Sequence, residues 1–237
     1  MIRGRERVST QVRMWLNYPY PNFPSKENLV GYWAFNEGTG TTAFDNSGNS
    51  NHGTLVNMEE ADWVDGVVGK CLSFDGVNEY VSVPDSVSVG KSITVLAWVK
   101  SATVDWNTLG WIASFRGNNG FIIHPASASK AVSMYIISST SDYVQIGTVT
   151  PADITQWHLY GVIYNDDTKK GYTVLDGEIV ESSHDITRLA DIIPVEIGRD
   201  YGFVGRFGNG LIDEVRIYNT ALTASEVKAL YDYPGGV

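Results

Sequence analysis

The period of the apolar residues limits the fold of this chain more than any other feature. From residue 29 onward, apolar side chains recur at alternate positions in short segments, with turn residues at intervals of roughly 8 to 15 positions. LVGYWAF, KCLSF, YVSVP, SITVLAWVK, WIASF, FIIH, AVSMYIIS, YVQIGTV, WHLYGVIY, GYTVLDGEIV, PVEIGR and LIDEVRIYN all have this pattern. Successive side chains of an extended backbone point to opposite faces, so a period of two predicts strands. In SITVLAWVK one face carries Ile93, Val95, Ala97 and Val99, and the other carries Thr94, Leu96 and Trp98. Both faces are largely apolar, which predicts a central strand covered on both sides. Asp176-Gly177 between YTVL and EIV predicts a type I′ hairpin, because both central residues of that turn need positive φ. A single helix is predicted, near the C-terminus. Thr223 caps it, Glu226 closes a capping box three residues on, Val227 and Leu230–Tyr231 give an apolar face, and Pro234-Gly235-Gly236 stops it. Many short strands with one terminal helix predict an all-β, antiparallel two-sheet sandwich.

A hydrophobic content of 43% over 237 residues suffices for a packed core. Residues 1–28 stand apart as a basic, proline-rich arm or linker, and residues 29–237 form the domain. The three prolines of NYPYPNFPS exclude a helix or central strand there. Residues 1–26 carry a net +4 within a total of −10, so the rest stands at −14. An acidic body repels a phosphate backbone, and nucleic acid is excluded as the main partner. No apolar run is long enough for a membrane-spanning helix, so no membrane insertion is expected. No signal-peptide core is visible at the N-terminus. The single cysteine, Cys71, lies in an apolar strand pattern and reads as a small buried hydrophobe.

Five blocks occur in order: GYWAFNEGTGTTAFDNSGNSNHGTL, FDGVNEYVSVPDS, ITVLAWVK, WHLYGVIY followed by YTVLDGEIV, and LIDEVRIYNTALTASEV. Together, from Leu29 to Tyr231, they resemble the laminin-G-like jelly-roll domain of the concanavalin A-like lectin/glucanase superfamily. The resemblance implies a jelly roll and fixes no ligand, since function lies in the site.

The loop FDNSGNSNHG concentrates oxygen-bearing side chains. Asp45, Ser47, Asn49 and Asn51 alternate, and Gly48 and Gly53 allow sharp turns, an arrangement suited to the six to eight oxygen ligands of calcium. Asp213 shares a strand face with Leu211, Val215 and Ile217, so its carboxylate is directed among aliphatics and needs a partner. The resemblance implies a structural calcium held between this loop and Asp213, with Asp45, Ser47, Asn49 and Asp213 as side-chain ligands. An Asx-turn at Asp45 and a strand-end hydrogen bond at Asp213 account for the same residues without a metal.

Glucanases of this architecture use a Glu-x-Asp-x-x-Glu motif, and none is present. Glu178 and Glu181 fall on opposite strand faces, and Arg199 beside Glu196 and Asp200 predicts an ordinary ion pair. The chain therefore reads as a non-catalytic recognition module. Sugar recognition needs flat aromatic faces beside groups that read hydroxyls, and these cluster in DWNTLGW, FRGNNG, SSTSDY and GRDYGFVGRFGNG. The ligand-binding candidates are Trp106, Arg116, Asn118, Tyr143, Arg199 and Tyr201, with Trp111 and Phe203 alongside. The expected partner is a carbohydrate or a surface protein, met outside the cell or on a cell or virion surface. The alternative is an adhesive building block that joins other chains through its N-terminal arm. A glycoside-active enzyme lacking the usual motif is a minor third reading.

Overall fold

The computed structural model of the chain describes residues 21–108 and 112–236. In it, sixteen strands form two antiparallel sheets. The first eight strands are β1 (Leu29–Trp33), β2 (Thr42–Ala43), β3 (Gly53–Val56), β4 (Trp63–Asp65), β5 (Lys70–Asp75), β6 (Tyr80–Val89), β7 (Ile93–Ser101) and β8 (Ala113–Phe115). The rest are β9 (Phe121–Pro125), β10 (Val132–Ile137), β11 (Tyr143–Val149), β12 (His158–Asn165), β13 (Lys170–Leu175), β14 (Glu178–Ser183), β15 (Asp191–Ile197) and β16 (Asn209–Tyr218). One sheet runs β14-β13-β12-β7-β16-β5-β4, with β1 also paired to β16. The other runs β11-β10-β9-β8-β15-β6-β3-β2. This is the expected sandwich.

The predicted alternation places its residues as read. Ile93, Val95, Ala97 and Val99 join the main core between the sheets. Leu96 and Trp98 face the other way, into a second apolar layer under the helix α1 (Ala224–Asp232). There Trp98 stacks on Tyr231 with centroids 5.4 Å apart, and Val227 and Leu230 cover Leu159 and Ile163. Each such buried side chain contributes about 1.5–3 kcal/mol. Thr223 and Glu226 form the capping box, and Asp176 (φ 52°) and Gly177 (φ 83°) turn the β13–β14 hairpin.

β16 is the spine of its sheet. Its N-terminal half pairs with β5 and its C-terminal half with β1, on the same edge, while β7 runs along the other. A bulge at Asp213–Glu214, with Glu214 at φ 54°, separates the two halves. The described end of the arm packs on α1. Phe23 meets Tyr233 edge-on at 6.0 Å, and Asn22 donates to Ser225 Oγ. Residues 1–20 of the predicted arm, and Trp111, lie outside the described residues.

At the start of β12, His158 links two turns. Nδ1 faces Asp176 Oδ2 at 2.7 Å and Nε2 faces the Asp153 carbonyl at 2.8 Å. Only the imidazolium donates at both nitrogens. The hydrogen bond to Asp176 raises the pKa of His158, against an opposing effect of burial. The folded state thus holds this proton more tightly than the unfolded chain. The resulting stabilisation is full below the ordinary histidine pKa and is lost as pH rises through the folded value. The melting temperature is expected to fall between pH 6 and pH 9, and His158→Gln should flatten part of that fall. An unchanged slope in the variant would remove this role.

Candidate functional site

The opening loop closes on itself through hydrogen bonds. Asp45 is buried, and Oδ1 accepts from the Tyr32 and Ser47 amides, while Oδ2 accepts from Ser47 Oγ and the Asn51 amide. Four donors occupy the roughly four lone-pair positions of a carboxylate. His52 Nδ1 accepts from the Asp45 amide, so the histidine ring also takes part. Asn49 Nδ2 reaches Ser47 Oγ and the Leu29 carbonyl, and Asn51 Nδ2 reaches the Val30 carbonyl. Asp45, Ser47 and Asn49 do come together, as a brace along β1.

Asp213 stands elsewhere. β1 has β16 on one edge and meets Asp45 on the other, at the Trp33–Asp45 bridge. Two strand spacings, about 10 Å, separate the backbones of the two acids. Asp213 Oδ2 accepts from the Val67 and Val68 amides, and Oδ1 is buried without a hydrogen-bond partner among the described residues. Burial, reinforced by neighbouring Glu214, pushes its pKa up to about 7. The four residues that the resemblance implied as one calcium set therefore do not fit a shared ion in this structure, because a strand lies between them and the lone pairs of Asp45 are taken. Among the described residues, no group of three or more His, Cys, Asp and Glu is placed to hold a metal ion.

A different arrangement lies on the face of the second sheet turned away from the core. Cross-strand partners share a face. The registers Glu196–Ser114, Ser114–Ile122, Ile122–Tyr135 and Tyr135–Gln145 therefore trace one surface across β15, β8, β9, β10 and β11. Tyr143, two residues from Gln145, belongs to it, as do Arg116, just beyond β8, and His124. The loop joining β15 to β16 folds back over this surface. Ser114 Oγ anchors it by donating to the Arg199 carbonyl (3.3 Å) and accepting from the Tyr201 amide (2.8 Å). That loop covers Ser114 completely.

Asp200 is the electrostatic centre of the loop and has no solvent exposure. Arg116 grips its carboxylate through Nε and Nη2, and Arg206 donates Nη1 to Oδ2 at 2.7 Å. A buried carboxylate persists only with such partners. Both guanidiniums lie over the Phe203 ring, at 4.9 Å for Arg116 and 4.4 Å for Arg206. Arg116 also lies 5.7 Å from the Tyr143 ring, whose hydroxyl donates to the Arg116 carbonyl. Tyr143 and Phe203 are 47% and 41% exposed, so ring surface remains open to solvent. His124 stacks on Tyr135 beside them, and burial lowers its pKa.

The ligand candidates separate by position. Arg116 and Tyr143 converge on this surface. Tyr201 joins it through its backbone amide, while its ring packs edge-on at 5.0 Å against Phe115, a residue of the core-facing register. Asn118 joins its rim, accepting from Ser141 Oγ. Arg199 does not present itself to a ligand. It lies over Tyr80 at 4.5 Å and pairs with Glu196 at 3.3 Å, the predicted ion pair. Trp106 is a correction: it is 1% exposed, packs edge-on against Tyr160 and belongs to the main core. Its loop is drawn inward by backbone bonds to Ala128 and Ser129, which loop composition does not reveal. Arg206 and His124 were missed as site residues. Two-residue alternation in FIIH signals the face of His124, but nothing local links Arg116 to Asp200.

Residues 75–228 match the family model Laminin_G_3, described as the concanavalin A-like lectin/glucanases superfamily. The chain belongs to this family. No curated protein matches its sequence. Among solved structures, this laminin-G-like chain is similar to domain 4 of AbnA, a GH43 extracellular arabinanase from Geobacillus stearothermophilus, solved with arabinotriose. Identity is 20% and the TM-score 0.68, over 86% of this chain and 98% of that one. The binding domain of Paraclostridial Mosquitocidal Protein 1 is 17% identical with a TM-score of 0.66, over 87% of this chain and 52% of that one. The receptor binding domain of botulinum neurotoxin C/D mosaic serotype is 11% identical with a TM-score of 0.65, over 88% and 52%. The laminin-G-like chain thus spans about half of each toxin binding domain. At these identities the likeness is one of fold.

Proposed function

We propose that this laminin-G-like domain is a non-catalytic module that binds carbohydrate outside the cell. The observation that carries the reading is the outer-face surface, where the exposed rings of Tyr143 and Phe203 are held by the Arg116–Asp200–Arg206 network. Exposed rings offer flat apolar faces to a sugar, and guanidiniums supply directed donors for its oxygens. The fold likeness to an arabinanase domain solved with arabinotriose supports the same reading. Three of the four acids considered for catalysis are otherwise engaged. Glu181 pairs with Lys170, Glu196 with Arg199, and Asp200 with two arginines. The reading needs no bound calcium, since the loop assigned to it is braced by its own hydrogen bonds.

A glycan array with the purified chain, in calcium and again in chelator, tests this. A defined set of glycans is expected to bind under both conditions, and Tyr143→Ala should weaken them by about tenfold, the scale of a binding hot spot. Silence on the array under both conditions would move the assignment to a protein-binding assembly module. Binding lost only in chelator would return a structural ion to the site.

A further inference from the structure

The charges around Phe203 do not cancel. Arg199 is spent on Glu196 and is overlaid by Tyr80, which leaves Arg116 and Arg206 facing the single carboxylate of Asp200. Asp200 is wholly buried, while its arginines reach solvent, with side-chain exposures of 18% for Arg116 and 32% for Arg206. The charge presented outward around Phe203 is therefore one net positive, on a chain whose net charge is −10. Asp142, the exposed acid beside Tyr143, keeps its charge, but its carboxylate is bonded to the Ser138 and Thr140 hydroxyls and is not paired with either arginine. Among the described hydrogen bonds Arg206 spends only Nη1, so its Nε and Nη2 stay available as one edge of a guanidinium fork. That edge adjoins the face of Phe203. Two parallel N–H groups beside an aromatic ring match a planar carboxylate carried on a sugar ring, where the carboxylate meets the fork and the ring lies against the aromatic.

We propose that the surface selects acidic sugars, with the carboxylate of a uronic- or sialic-type residue paired to Arg206 and its ring against Phe203 or Tyr143. This rests on the carbohydrate reading above and adds the class of sugar. Arg206 is the residue to change, because Arg116 alone keeps a two-point grip on Asp200 and no buried charge is stranded.

The test is a calorimetric titration of the full chain with trigalacturonate and its carboxyl-reduced trimer, and with sialyllactose and lactose. At least one acidic sugar is expected to bind about tenfold more tightly than its neutral counterpart, with the advantage shrinking in high salt. Arg206→Gln should reduce the preference to about twofold or less while the melting temperature holds. Arg206→Lys, which keeps the charge and loses the fork, should fall between the two. Equal or tighter binding of the neutral sugars overturns the proposal and leaves the carbohydrate reading standing. An Arg206→Gln effect equal on acidic and neutral sugars also overturns it. Binding to none of the four sugars, together with silence on the array, removes both.

Discussion

Arg216→Met is expected to cost the fold about 3–5 kcal/mol, the usual penalty for stranding one member of a buried ion pair. Arg216 is fully buried on β16, with its guanidinium 4.3 Å from the Tyr32 ring centre. Its Nη2 lies within hydrogen-bonding reach of Glu214, of the Tyr32 hydroxyl, and of the carbonyls of Pro234 and Gly236. The residue thereby joins β1, the β16 bulge and the C-terminal turn. Glu214 is equally buried, and burial raises its pKa against the opposing charge of Arg216. Without the arginine, its carboxylate keeps one described hydrogen bond, from Tyr32 Oη at 2.8 Å. For a chain of this size the loss corresponds to a melting temperature lower by on the order of 10 °C. The double change Arg216→Met with Glu214→Gln should cost less than the sum of the single changes, since no unpaired charge is left behind. Strict additivity in urea unfolding would show that the pair is not coupled.

Trp106→Ala is expected to destabilise by about 3–5 kcal/mol, as for other buried tryptophans. The indole fills the main core beside Tyr160, and the Trp106 amide and carbonyl bond to Ser129 and Ala128. The Trp106 side chain lies in the core and not on the outer face, so glycan selectivity should be unchanged at temperatures where the variant stays folded. Thermal unfolding and the array together check this. An unchanged melting temperature with lost glycan binding would return Trp106 to the ligand site.

Alternation alone puts Asp213 on one face with Val215 and Ile217, as a polar group in need of a partner. The bulge at Asp213–Glu214 instead leaves Val215 and Ile217 in the main core with Ile212 and turns Asp213 to the face of Trp98. Which partner Asp213 finds does not follow from alternation. Asp213 takes the Val67 and Val68 amides of a turn distant in sequence, and Asp45 takes amides of its own loop and of β1. The resemblance joined these two acids through one ion, yet β1 runs between them. In DWNTLGW and FRGNNG two ligand candidates met opposite fates. Trp106 was drawn into the core, whereas Arg116 came out under the β15–β16 loop.

What the sequence determined by itself is what short-range geometry decides. Alternation set the faces of unbroken strands such as β7, Asp176-Gly177 set a hairpin, and Thr223 with Glu226 set the start of α1, because each depends on groups within a few residues. The tertiary structure alone decided which loops lie over the second sheet. It brought Asp200 to Arg116 and Ser114 to Tyr201, pairs 84 and 87 residues apart. Burial and charge pairing at such separations depend on how the sheets pack and where a long loop lands, and no local pattern encodes that.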